Sequence, residues 1–169
     1  MNNHILTTVF NMSIPNGSLL FVEGGNQIVM SHTKSIYSHV AFLFHDTSKL
    51  CVYEAVKPKI RKITWEEYQD EIKNDTRKMS LWIMEPKQTF LDEEINKIKS
   101  YCEQQIGRPY SIGSYISATE KRGIHCGEMT VRGLMLANII PPVKNACRET
   151  PASVKKLAEE KYQSIKKLD

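Results

Sequence analysis

The chain has 169 residues, 41% hydrophobic and 25% charged, which excludes collagen-like, low-complexity and disordered classes. Its net charge of +4 and isoelectric point near 8.8 are mildly basic and fall short of a nucleic-acid-binding footprint. A chain of this length buries about 70% of its unfolded surface, so residues 1–169 are expected to fold as one domain without a metal or disulfide staple. No apolar run approaches the roughly 18 residues of a transmembrane helix. The N-terminal segment lacks the basic start, apolar stretch and small-residue cleavage site of a signal peptide. Cys51, Cys102, Cys126 and Cys147 form no C-x-x-C pair, so free thiols and a cytoplasmic location are expected.

In chain order, Ile14-Pro15-Asn16-Gly17 signals a turn, and residues 18–22 read as a short buried strand ended by Gly24-Gly25-Asn26. Residues 38–44 and 50–56 are apolar strands separated by a short polar turn, which predicts a hairpin. Residues 59–63 alternate charge with apolar side chains, as an edge strand does. Thr64 and Glu67 form a Thr-x-x-Glu capping box, which starts a helix over 65–72. A strand follows at 79–84, stopped by Pro86, and a helix over 91–105 carries Leu91, Ile95, Ile98 and Cys102 at helical spacing. Arg108-Pro109-Tyr110-Ser111 is a turn. A helix over 126–138 is expected to turn Met129, Leu134, Leu136 and Ala137 inward. Thr150-Pro151 opens a last helix with Val154, Leu157, Ala158 and Ile165 as its apolar members. Strands precede helices, so the class is α+β.

Phosphate-loop, zinc-helix and nucleophile-elbow motifs are absent, and Phe21-Val22-Glu23-Gly24-Gly25 lacks dinucleotide-loop spacing. What remains is a cysteine, a histidine and an acid. Cys126 falls where a helix begins, and there the dipole and free N–H groups favour a thiolate and a developing oxyanion. The competing reading is a packed, inert thiol. His39 opens an apolar strand and is a candidate general base; otherwise it is a surface histidine at a strand end. Glu54 lies on the neighbouring strand, where it could orient the His39 ring or sit as an exposed acid. His125 adjoins Cys126, but chain neighbours seldom face one another. His4, His32 and His45 read as surface.

Together these segments resemble the circularly permuted NlpC-type, papain-like cysteine hydrolases, in particular their YiiX-like branch. Residues 17–22 resemble the opening G-D-hydrophobic strand, Ser38-His39-Val40-Ala41 the S-H-V-G motif, and Val52-Tyr53-Glu54-Ala55 the acidic strand. Gly107-Arg108-Pro109-Tyr110 resembles G-x-P-Y, His125-Cys126-Gly127-Glu128 the C-S-E nucleophile helix, and Glu149-Thr150-Pro151-Ala152 the closing T-P segment. Ser18, Ala41 and Gly127 depart from the family's Asp, Gly and Ser. The resemblance implies a small antiparallel sheet or barrel packed against helices, with the nucleophile at a helix N-terminus. It also implies Cys126 as nucleophile, His39 as base and Glu54 as orienting acid, with Tyr110 and Gly127 at the oxyanion or substrate. The implied activity is that of a cysteine peptidase, amidase or acyltransferase acting on a small peptide, an amino-acid derivative or an acyl lipid. No metal or organic cofactor is implied, and nucleic acid is not an expected partner. The alternative is a non-catalytic ligand- or partner-binding module on the same fold, with Cys126 inert. A thiol redox role is disfavoured because no resolving cysteine stands in C-x-x-C spacing.

Overall fold

The computed structural model describes residues 13–117 and 122–168. Its elements in chain order are β1 (Ser18–Glu23), α1 (Gln27–Thr33), β2 (Tyr37–Asp46), β3 (Lys49–Ala55), β4 (Ile60–Thr64), α2 (Trp65–Asn74) and β5 (Ser80–Met84). These are followed by α3 (Asp92–Gln105), α4 (Gly113–Ser117), α5 (Cys126–Leu136), a 3-10 turn (Ala146–Arg148), α6 (Pro151–Ala158) and β6 (Lys166–Lys167). The strands form one antiparallel sheet in the order β4-β3-β2-β1-β5-β6.

The sheet is covered on both faces. Leu19, Phe21, Phe42, Phe44 and Tyr53 face Ile98 of α3, Met129 and Leu134 of α5, and Val154 of α6. The alternate residues Leu20, Val22, Ala41, Leu43 and Val52 face Trp65 and Tyr68 of α2. Strands buried on both sides read as continuous apolar runs, which is why β1, β2 and β3 were legible without strict alternation. The sheet is open, with β4 and β6 at its edges. The barrel form is therefore corrected: helices bury both faces, so the sheet need not close on itself.

The hairpin of β2 and β3 turns through Thr47-Ser48, with Asp46 paired to Lys49. The Thr64 capping box forms as read, Thr64 Oγ1 accepting from the Glu67 N–H and Glu67 Oε2 from the Thr64 N–H. Two helix assignments change. Leu136 is 54% exposed, because it stands two residues from the buried Leu134 and so points elsewhere on the helix. Ile165 is not helical: α6 ends at Ala158, and the Gln163 N–H donates to the Glu85 carbonyl, turning the chain toward the sheet edge. There Lys166 and Lys167 pair with Ile83 and Trp82 as β6, a two-residue strand too short to read from sequence.

Two local features bring elements to one place. Val22 pairs with His39 but Glu23 pairs with Tyr37, so Ser38 is an extra residue immediately before His39. Such a bulge bends the strand and re-aims the neighbouring side chain. The Ser38 hydroxyl holds it by donating to the Gly24 carbonyl. Separately, the 107–111 turn stitches β4 to the start of α5. Gly107 N–H donates to the Ile60 carbonyl at 2.9 Å, Ile60 N–H to the Arg108 carbonyl at 2.9 Å, and Ile124 N–H to the Pro109 carbonyl at 3.1 Å.

Candidate active site

Cys126 is the first residue of α5 and is buried. His125 is its N-cap: Nδ1 accepts the Glu128 N–H at 3.3 Å, and Nε2 donates to the Cys147 carbonyl at 2.9 Å. The cap serves Glu128 and leaves the first-turn N–H groups of Cys126 and Gly127 without intrahelical acceptors. These are two donors in the turn that carries the sulfur. Although His125 is the chain neighbour of Cys126, its ring does reach the Cys126 thiol, contrary to expectation. Its two nitrogens are also engaged by the Glu128 N–H and the Cys147 carbonyl; burial pushes its pKa down, but Cys126, the Cys147 carbonyl and Glu128 outweigh this and raise it.

His39 is placed differently. Its Nε2 lies 2.7 Å from Glu54 Oε2, and the ring is in hydrogen-bonding contact with the Cys126 thiol, for which Nδ1 is the remaining nitrogen. The register explains the first contact. Phe42 pairs with Tyr53, so one step on Ala41 stands opposite Glu54 and His39 lies diagonally across on the same face. Burial pushes the Cys126 thiol up, but hydrogen bonds and charge from His125 and His39 outweigh it and lower the pKa to about 6. Of the two rings, His39 is the one hydrogen-bonded to a carboxylate oxygen, Glu54 Oε2. Burial pushes His39 down, while hydrogen bonds to Cys126 and Glu54 and their charges raise it to about 10. Between these values the pair rests as thiolate and imidazolium. Burial raises the other three thiols, Cys51, Cys102 and Cys147. All four cysteines are free and buried.

Glu54 is 2% exposed. Burial raises its pKa, but His39 and Arg61 more than offset this and hold the carboxyl below its ordinary value. Arg61 Nε donates to Glu54 Oε1 at 2.8 Å, and its two terminal nitrogens grip Glu71 at 2.9 and 2.5 Å. Arg61 sits in no motif that marks it in the sequence. The signal was there in the alternating charge of 59–63, but it acquires meaning only through the pairing of Glu54 with Arg61.

Two cavities border the site, one on the His39 and Glu54 side and one on the Cys126 side. One of about 430 Å³ is lined by His39, Glu54, Lys57, Arg61 and Arg77 among others. A second of about 210 Å³ is lined by Cys126 with Val29, Ile112, Ile116 and Pro151. Tyr110 borders both, and burial, together with a negative charge on Cys126, raises its hydroxyl pKa. Gly127 lines neither. A Cβ there would lie 2.1 Å from the Glu149 carbonyl oxygen, so the α6 approach requires glycine where the resembled family has serine. Its share in the site is confined to its N–H. His45 is corrected from surface to half-buried, its Nε2 being 2.9 Å from the Ile14 carbonyl. His4 lies outside the described residues, as does the side chain of His32. Behind Cys126, Glu128 is buried with Arg132 Nε at 3.1 Å and Cys147 Sγ at 3.3 Å, a network the sequence did not reveal.

No family model matches the chain, and no curated protein matches it. Among solved structures it is similar to the metalloprotein YiiX of Escherichia coli O157:H7, a DUF1105 protein, with a TM-score of 0.66 and 12% identity. That similarity covers 92% of this chain and 97% of the other. Among the described residues no group of three or more His, Cys, Asp or Glu side chains is gathered to hold a metal ion. None of the described helices is long and apolar enough to cross a membrane. The chain has a YiiX-like α+β fold, an open six-stranded antiparallel sheet between helices.

Proposed function

We propose that this protein is a cysteine-dependent hydrolase or acyltransferase that forms an acyl-enzyme on Cys126. The observation that carries the reading is the contact chain from the Cys126 thiol through the His39 ring to the buried Glu54 carboxylate, at the start of α5. A nucleophile, a base and an orienting acid in contact are the parts that acyl transfer needs.

The thiolate attacks an amide or ester carbonyl carbon, and the N–H groups of Cys126 and Gly127 receive the oxyanion. The His39 imidazolium gives its proton to the departing amine or alcohol as the C–N or C–O bond breaks. Neutral His39 then takes a proton from water as the water oxygen attacks the thioester carbon, the C–S bond breaks to release the acid, and the thiolate and imidazolium are restored. A hydroxyl or amine in place of water gives acyl transfer. The departing group must reach His39, so it lies toward the larger cavity with Lys57, Arg61 and Arg77. The acyl group then lies toward the apolar pocket of Ile112, Ile116 and Val29. This favours a substrate joining an apolar acyl group to a polar or charged leaving group, within the peptide, amino-acid-derived or acyl-lipid class.

The test uses p-nitrophenyl octanoate and acetate, with nitrophenol release and intact mass as readouts. One acyl group on Cys126 is expected, with octanoate faster than acetate. Cys126→Ala should abolish it and His39→Ala should slow it about 10²–10⁴-fold. Acylation that survives Cys126→Ala contradicts the mechanism and favours the binding module.

A further inference from the structure

The Glu54 carboxylate splits its two oxygens between two cations. Oε2 meets His39, and Oε1 meets both Nε and Nη2 of Arg61, at 2.8 and 2.7 Å. Arg61 stands directly across the sheet from Glu54, on the edge strand β4. Its far side is clamped by Glu71 of α2. The guanidinium is thus held at three nitrogens by two carboxylates, although the side chain borders the larger cavity and is 31% exposed. An arginine gripped on two sides is a fixed wedge, because its planar fork matches each carboxylate in only one orientation.

We propose that Arg61 is a positioning residue of this site, fixing Glu54 ionised and oriented toward His39, with Glu71 of α2 as its anchor. The inference rests on the acyl-enzyme reading and adds a fourth member that acts only through Glu54. Glu54 is buried, and a buried carboxylate with one oxygen unpaired favours its protonated form. Removing Arg61 leaves Oε1 without its cation and with the Glu71 charge still nearby. The groups facing Glu54 are His39 from β2, Arg61 from β4, and Tyr68 and Glu71 from α2. Lys57 and Tyr110 stand at the cavity wall, and Cys126 of α5 lies beyond His39. Among them Arg61 is the cation bonded to Oε1. Protonation of Glu54 would strip His39 of its partner, and the thiolate would then take up its proton at a higher pH.

The experiment follows the rate of Cys126 alkylation by iodoacetamide against pH in the full chain, located by peptide mapping. In Arg61→Met the acid limb should move up by about one pH unit, the lower end of what losing one close opposite charge does to a carboxyl. Arg61→Lys keeps the cation without the fork and should recover part of the shift. In a Glu54→Gln background, Arg61→Met should add nothing. Unfolding midpoints of each variant confirm that the reacting species is folded, and Arg61→Lys supplies the readout if Arg61→Met is not. A shift that persists in the Glu54→Gln background shows that Arg61 acts directly by its charge and overturns the inference. A low-pH reactivity that needs His39 but ignores Arg61 also overturns it, and leaves the proposed function standing. An ordinary thiol profile for wild-type Cys126 removes both.

Discussion

His125 and His39 both touch Cys126, and chemistry separates them. His125 spends its two nitrogens on the Glu128 N–H and the Cys147 carbonyl, so its work is to cap α5. His39 keeps one nitrogen for the sulfur and gives the other to Glu54. Asparagine is itself a good N-cap. His125→Asn should therefore keep most of the thiol reactivity and cost no more than about 1 kcal/mol of stability. His39→Asn should lose the low-pH reactivity and also cost stability, because the buried Glu54 carboxylate loses its cation. Urea unfolding together with alkylation rates checks both, and equal loss of reactivity in the two variants would contradict the assignment. At this scale Cys126, His39, Glu54 and Tyr110 were legible as residue types in motif contexts. Arg61 and Glu128 were not, because a charged residue in a strand or first turn reads as solvated until its partner across the fold is known.

The element scale accounts for how α5 is seated. Its second residue is Gly127, over which the Glu149 carbonyl passes closer than any side chain allows. The 149–150 segment is also where α6 begins, with Thr150 as its N-cap and Pro151 in the wall of the smaller cavity. Gly127→Ala should push that segment away and destabilise the protein by about 1–3 kcal/mol, as overpacking does. It should also widen the pocket beside Cys126, visible as faster alkylation by a bulky maleimide relative to iodoacetamide. Unfolding within a few tenths of wild type would show that the segment yields freely. Most elements here were legible because their signals are local: the Thr64–Glu67 box, the β2–β3 turn, and Pro151 after Thr150. The bulge at Ser38, α1 and β6 were not. The bulge exists only as a mismatch between two strands. The helix α1 has seven residues, and its cap is Asn26, in the segment that reads as a break.

Across the molecule, segments distant in the sequence are tied together at Gly17 and Tyr162. Tyr162 is buried, its hydroxyl donates to the Gly17 carbonyl at 2.8 Å, and its ring meets Phe90 edge-on. Tyr162→Phe keeps the packing and leaves one buried carbonyl with a lost donor, which costs about 1–3 kcal/mol. A drop of that size in urea unfolding, with Cys126 reactivity unchanged, is expected because this tie lies outside the site. A long-range bond of this kind carries no sequence signature, which is why apolar spacing alone extends the helix to Ile165 while Tyr162 already directs the chain toward β6. The same global packing sets the four thiols apart. Three are buried with their pKa values raised, and Cys126 alone is pulled down, to about 6. The sign follows from the lowered value: the thiolate is present above about 6 and is lost as pH falls through it. The direct measurement is therefore competitive iodoacetamide labelling of all four cysteines from pH 5 to 8, in wild type and His39→Ala, with each site read by mass spectrometry. The expected result is Cys126 labelled first, with an acid limb near pH 6 that moves up sharply in His39→Ala. Labelling of Cys126 no faster than Cys147, with no change in His39→Ala, would contradict the account.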